Sequence, residues 1–253
     1  MSGSLFVCAL PIGDMRDVSQ NVLDCLNNTD VIAAEDTRVA KLTLERLGIQ
    51  SKKQFIRMDQ YQEKRGFNQF DRFISINDVA YISDAGTPGI SDPGALLVRY
   101  CCDHGIHVKC FPGPSSLSTF ISGSGILMGG FHFFGFFPRK ASERLQAIDF
   151  LVSHQLVGIW FESPKRIGSL MKWLADHYDT AEVVLANDLT KSYEQYFRGT
   201  VDDVKNQLLH VDCRGEWVGC IDGRSIVIDN DAYFQSVATA FQQLKLNGRQ
   251  VKG

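Results

Sequence analysis

The chain has 253 residues, 44% of them hydrophobic and 22% charged, the balance of a globular protein with a sizeable core rather than a disordered or fibrous one. No apolar run reaches the roughly 18–20 residues of a membrane helix, and the opening Met1-Ser2-Gly3-Ser4-Leu5 lacks the basic stretch of a secretory leader, so a soluble cytoplasmic protein is expected. The formal net charge of −3 gives no global support to nucleic-acid binding and leaves any such contact to local basic patches.

Residues 5–10 form an apolar run stopped by Pro11-Ile12-Gly13, which reads as a strand followed by a loop. Val18, Val22, Leu23 and Leu26 recur at helical spacing, with Asp17 or Ser19 available as N-cap. Residues 31–34 predict a second strand, and Leu42, Leu44 and Leu47 ahead of Gly48 a helix with a glycine stop. Residues 79–83, 96–102 and 107–111 then give strand, helix and strand. Short apolar strands alternating with helices predict a mainly parallel sheet covered on both faces.

Pro112-Gly113-Pro114-Ser115-Ser116 interrupts this rhythm, and a Gly/Ser-rich stretch, with Gly123-Ser124-Gly125 read as a flexible connector, runs on to Gly130. A domain boundary is expected here: an α/β domain over 1–114 and a second over 115–230. In the second, residues 131–137, 157–161 and 183–186 read as strands, with helices over 141–152 and 164–177. Residues 193–198 and 216–222 add strands, some of them antiparallel. Over 231–253, Tyr233, Val237, Phe241 and Leu244 predict one amphipathic helix and a polar tail. Strict alternation fails across Phe131, Phe133, Phe134, Phe136 and Phe137, which fits either a strand covered by a second copy of the chain or a central strand.

The seven cysteines include no Cys-x-x-Cys pair, so neither a disulfide framework nor a zinc ribbon is expected. Cys8 and Cys110 lie in apolar runs, where a thiol acts as a small hydrophobe. His104 and His107 straddle Gly105 and do not share a helix face, so no metal site is expected.

The most informative stretch is Ser83-Asp84-Ala85-Gly86-Thr87-Pro88-Gly89-Ile90-Ser91-Asp92-Pro93-Gly94. It follows a buried strand and precedes a helix expected to begin near Pro93, the position where open α/β sheets bind ligands. Its glycines let a ligand meet the backbone, and Asp84 and Asp92 offer carboxylates to ribose or amine groups. A dehydrogenase or ATPase is disfavoured, because neither Gly-x-Gly-x-x-Gly after the first strand nor Gly-x-x-x-x-Gly-Lys-Ser/Thr occurs.

Ala34-Glu35-Asp36-Thr37-Arg38 closes the second strand. It reads either as substrate handling and proton removal, or as an Asp36 or Thr37 N-cap with Glu35 compensating the helix dipole. Arg139 and Lys140, then Lys165 and Arg166, stand just beyond strands, as phosphate contacts or as solvated helix starts. Lys191, after Asp188-Leu189-Thr190, is open to both readings.

Together these residues resemble the ribosomal RNA small subunit methyltransferase I family. The resemblance runs through Leu10-Pro11-Ile12-Gly13, Ala33 to Arg38, Ser83 to Gly94, Pro112-Gly113-Pro114-Ser115, Gly135 to Lys140, Phe161-Glu162-Ser163-Pro164, Leu189-Thr190-Lys191 and Arg198-Gly199-Thr200. It implies a tetrapyrrole-methylase-like, class III methyltransferase with two α/β domains and S-adenosylmethionine held in the cleft between them. It also implies a homodimer and 2′-O-methylation of a cytidine ribose in 16S ribosomal RNA within the small ribosomal subunit.

Carried over by motif, cofactor contacts fall at Leu10, Asp84, Thr87, Ser115 and Ser116, with Phe161, Ala186 and Glu216 from the second domain. Relative to the family pattern, Asn187-Asp188 replaces Arg-Glu, removing a cation, and Lys165 replaces His, adding one. The family's small C-terminal helical domain would be cut short at Gly253. Strand-end position makes Glu35 and Asp36 the candidate bases, with Lys191 in reserve to stabilise the acceptor oxygen. Arg38, Arg139, Lys140, Lys165 and Arg166 are the expected RNA contacts. A corrin or porphyrin methylase would share this fold, and a non-catalytic RNA-binding or assembly factor could retain the pocket.

Overall fold

The computed structural model describes residues 3–49, 52–126 and 129–226. The chain divides into two compact units, one of residues 1–123 with 188–194, the other of residues 124–187 with 195–253. The amphipathic helix expected over 231–253 lies outside the described residues.

The first unit runs β1 (Leu5–Cys8), α1 (Gln20–Asn28), β2 (Val31–Ala34), α2 (Thr37–Arg46), β3 (Gln54–Arg57), α3 (Gln60–Arg65), α4 (Asn68–Ile74), β4 (Val79–Ile82), α5 (Ala95–Asp103), β5 (Val108–Phe111) and α6 (Ser116–Ser124). Its five strands are all parallel, in the order β3-β2-β4-β1-β5. Every residue of β2 and β4 is buried, as a two-sided sheet requires. Period two then sorts the side chains of β4: Val79 and Tyr81 join the core that holds Phe70 and Leu97, while Ala80 and Ile82 join the one that holds Leu26 and Leu44. Ser19, not Asp17, caps α1, accepting from the Val22 amide at 3.3 Å.

The second unit runs β6 (Phe131–Phe136), α7 (Ala141–His154), β7 (Val157–Glu162), α8 (Ile167–Tyr178), β8 (Glu182–Asn187), β9 (Gln195–Thr200), α9 (Val201–Leu208) and β10 (Trp217–Asp222). Its strand order is β6-β7-β10-β8-β9, with β6 and β7 parallel and the other pairs antiparallel. The principal core packs Trp160, Leu170, Leu174, Leu185, Val204 and Ile221 between sheet and helices.

Several expectations need correction. Gly123 and Ser124, expected in a flexible connector, instead close a helix over residues 116–124 whose Phe120 is fully buried. The aromatic strand β6 is an edge strand, not a central one, and Phe131 and Phe136 are exposed. Its alternation fails because the register shifts between Phe133 and Phe136, a bulge that turns successive side chains out of phase. Helix α5 starts at Ala95 rather than Pro93, and Gly94 is its N-cap with φ +123°; a Cβ there would lie 2.5 Å from the Tyr81 ring. Cys110 is exposed, unlike Cys8, and Leu42 and Leu96 point outward from their helices.

Candidate cofactor and acceptor site at the strand ends

In a parallel sheet every strand delivers its carboxyl end to one edge, and the loops of the first unit are knitted together there. The Leu10 amide donates to the Gly86 carbonyl at 2.8 Å, joining the loops after β1 and β4. Thr87 Oγ1 donates to the Pro114 carbonyl at 2.9 Å, joining the loops after β4 and β5. The Asp36 amide donates to Asp84 Oδ1 at 3.2 Å, bringing in β2. Gly113 lies so close to β1 that a Cβ would come within 2.9 Å of Ala9 Cβ. Leu10, Asp84, Thr87, Ser115, Glu35 and Asp36 thus converge on one edge, with Ser116 opening α6 beside them.

The two carboxylates at the end of β2 differ. Asp36 caps α2 through the Arg38 amide at 2.8 Å and is gripped by Arg38 Nη2 at 2.7 Å. That guanidinium holds its carboxyl well below the usual range, so the N-cap reading describes Asp36. Glu35 is half-buried, and its carboxyl is pushed up to about 7, by burial first and then by Asp84, Asp92, Asp59 and Asp36. Asp84 is solvent-facing, yet partial desolvation raises its carboxyl as well, with the Asp36 charge adding to it. An edge this acidic suits a ligand with positive charge and hydroxyls to donate, and opposes a pyrophosphate.

A residue outside the sequence reading holds the long loop in place. Glu63, buried on α3, accepts the amides of Gly94 and Leu97 at 3.0 Å each, satisfying the first turn of α5. The sequence signal in this region is weak, although Asp59, which accepts the Gln62 amide at 2.8 Å, is a legible N-cap.

Lys191 lies in the 188–194 segment that belongs to the first unit. Its Nζ meets Asp188 Oδ1 at 2.7 Å, and the Asp14 amide donates to Thr190 Oγ1 at 3.2 Å. Asp188 and Thr190 have φ of 50° and 61°, left-handed backbone that non-glycine residues adopt at a cost.

In the second unit, Phe161 is half-buried, edge-on to Phe133 at 4.9 Å, Ala186 is fully buried in β8, and Glu216 precedes β10. Asn187, in place of the family's arginine, donates to the Arg214 and Glu216 carbonyls at 3.0 and 3.2 Å and so fixes the entry to β10. Arg139, Lys140 and Lys165 are exposed, Lys140 pairing with Glu143 at 3.0 Å. Arg166 instead turns inward: it donates to the Phe137 carbonyl at 2.8 Å, and its Nη2 lies 3.0 Å from the buried Glu162 Oε2, held there by charge without hydrogen-bond alignment.

A fold of this kind with its loops gathered at one sheet edge has known counterparts. The family model for tetrapyrrole (corrin/porphyrin) methylases matches residues 4–205. Two solved structures share the architecture: the methyltransferase CobJ (TM-score 0.63, 15% identity, 87% of this chain and 94% of that one) and the cobalt precorrin-4 methyltransferase CbiF (TM-score 0.60, 16% identity, 88% and 96%).

Curated relatives named ribosomal RNA small subunit methyltransferase I align at higher identity. Those of Campylobacter fetus subsp. fetus (35% identical, 86% of this chain and 83% of that one), Haemophilus influenzae (34%, 91% and 82%) and Hydrogenobaculum sp. (36%, 81% and 88%) are examples. The chain therefore belongs to the tetrapyrrole methylase family, and within it to the group of ribosomal RNA small subunit methyltransferase I. It is an S-adenosylmethionine-dependent methyltransferase.

Proposed function

We propose that this enzyme 2′-O-methylates a cytidine ribose of 16S ribosomal RNA in the small ribosomal subunit. The observation that carries the reading is the 34–36% identity, over four-fifths or more of the chain, to relatives named for small-subunit ribosomal RNA methylation. The half-buried Glu35, raised toward neutrality, supports a hydroxyl acceptor, because a neutral hydroxyl needs a base tuned near working pH.

When bound, S-adenosylmethionine supplies an electrophilic methyl group on a sulfonium. Asp84, Thr87, Ser115, Ser116 and the Leu10 backbone would hold it, and Phe161, Ala186 and Glu216 are proposed as further contacts. The residues at the sheet edge fit such a ligand: the carboxylates answer its positive charge, and Gly113 lets the loop after β5 pack closely on Ala9 at the end of β1. Glu35 would take the proton of the acceptor hydroxyl on a carboxylate oxygen, while Asp36 orients Arg38. Lys191 is the reserve group for the developing alkoxide. Arg38, Arg139, Lys140 and Lys165 would meet RNA phosphates, whereas Arg166 serves to hold Glu162. We further propose that the enzyme works in the cytoplasm as a homodimer, a reading supported by the exposed Phe131 and Phe136 on the edge strand β6.

The test is transfer of labelled methyl from S-adenosylmethionine to small ribosomal subunits lacking the modification, beside a corrin or porphyrin acceptor. Ribose-linked label in the RNA is the expected result. Label in the tetrapyrrole alone, or in neither, would overturn it.

A further inference from the structure

Helix α3 begins where the candidate base stands. The Met58 amide donates to the Ala34 carbonyl at 2.7 Å, so Asp59, the N-cap of α3, lies in the neighbouring strand end to Glu35. The helix is two-sided. Inward, Glu63 is buried and locked onto the Gly94 and Leu97 amides, which ties α3 to the helix closing the long loop. Outward, Gln60, Tyr61, Lys64 and Arg65 share one exposed face at helical spacing. Tyr61 is 63% exposed, far more than an aromatic ring needs for packing. The Arg65 guanidinium sits 5.3 Å over its ring, with Nη1 3.4 Å from the phenol oxygen. With the acidic Glu63 turned into the core, the face open to solvent carries only positive charge, in a chain whose net charge is negative.

We infer that α3 is a stacking platform for the single-stranded RNA flanking the methylated nucleotide, with Tyr61 stacking a base and Lys64 and Arg65 meeting the adjoining phosphates. Single-stranded RNA is recognised by splayed bases on aromatic or guanidinium planes and by cations along the backbone, and both are present here on one short helix. The inference rests on the ribosomal RNA reading above and gives it a local cationic surface.

The test uses the full chain, undermethylated small ribosomal subunits and labelled S-adenosylmethionine. Stacking lost on truncation predicts that Tyr61→Ala raises KM for the subunit about tenfold, with kcat and S-adenosylhomocysteine affinity unchanged. Tyr61→Phe, which keeps the ring, should remain near wild type. Arg65→Ala should weaken binding and reduce the slope of log affinity against log salt by about 1. A Tyr61→Ala enzyme with wild-type KM would overturn the platform while leaving the ribosomal RNA reading standing. So would an equal defect in Tyr61→Phe, or a parallel loss of S-adenosylhomocysteine affinity. A wild-type enzyme unable to label subunits would remove the reading itself, and the platform with it.

Discussion

The backbone amide of Asp36 donates to Oδ1 of Asp84 at 3.2 Å, across 48 residues of sequence. It links the ends of two adjacent parallel strands and leaves Glu35 beside a fixed negative charge. Burial and this crowding of acidic groups set the carboxylate chemistry of the edge, and the first two predictions follow from it.

Glu35→Gln should lower methyl transfer by about 10²–10⁴-fold, the usual worth of a general base, with S-adenosylhomocysteine binding nearly unchanged by calorimetry. Asp36→Asn should cost much less, because Arg38 already holds that carboxylate in a capping role. Equal defects in the two variants would sink this division of labour.

The pH dependence has a definite sign. Burial and its acidic neighbours raise Glu35 from 4.5 to about 7, so the base form is lost as pH falls through about 7, and the transfer rate should rise across that point. For stability the order reverses. A group raised in the folded state contributes stability that is full below about 4.5 and lost as pH rises through about 7. Glu35→Gln should flatten both profiles in that window, measured by single-turnover transfer and by thermal melting.

Asp84→Ala should weaken S-adenosylhomocysteine binding by about 10–100-fold, as expected for a lost hydrogen bond to a charged group. It also frees the Asp36 amide. Asp84→Asn, which keeps an oxygen acceptor for that amide, should lose less. Unchanged calorimetric affinity in Asp84→Ala would remove Asp84 from the cofactor contacts.

Gly94→Ala tests the loop scaffold. The residue has φ +123°, and the added Cβ would fall 2.5 Å from Tyr81 Cε1. Left-handed strain and the clash together should destabilise the fold by about 1–3 kcal/mol, read as a lower Tm. Weaker S-adenosylhomocysteine binding should accompany it, because Gly94 also donates to Glu63.

Arg166→Ala distinguishes a structural cation from an RNA contact. It leaves the Glu162 carboxylate buried beside an empty partner position, a change that costs on the order of 3 kcal/mol when a buried pair is broken. A large drop in Tm with little change in the salt slope of RNA binding is expected. The opposite pattern would return Arg166 to the RNA surface.

Much of the fold was determined by sequence alone. The apolar runs over 5–10, 31–34 and 79–83 hold β1, β2 and β4, because strands buried on both faces must be continuously hydrophobic. The glycine-rich stretch after β4 declared itself because few sequences can make such a turn. The family motifs mark a methyltransferase without reference to the fold. Residues 54–65 carry little sequence signal, because β3 at the sheet's edge has only Ile56 buried and α3 only Glu63, too little to imprint a period on so short a segment. Local chemistry also could not rank residues of the same type. Glu35 and Asp36 are adjacent carboxylates in sequence. Tertiary structure buries one beside Asp84, Asp92 and Asp59, while the other keeps its local partner Arg38, two residues on. Arg166 reads like Lys165 until Glu162 is found buried beneath it. Charge environment depends on burial, and at Glu35 also on neighbours brought in from distant strand ends, and both are decided by packing.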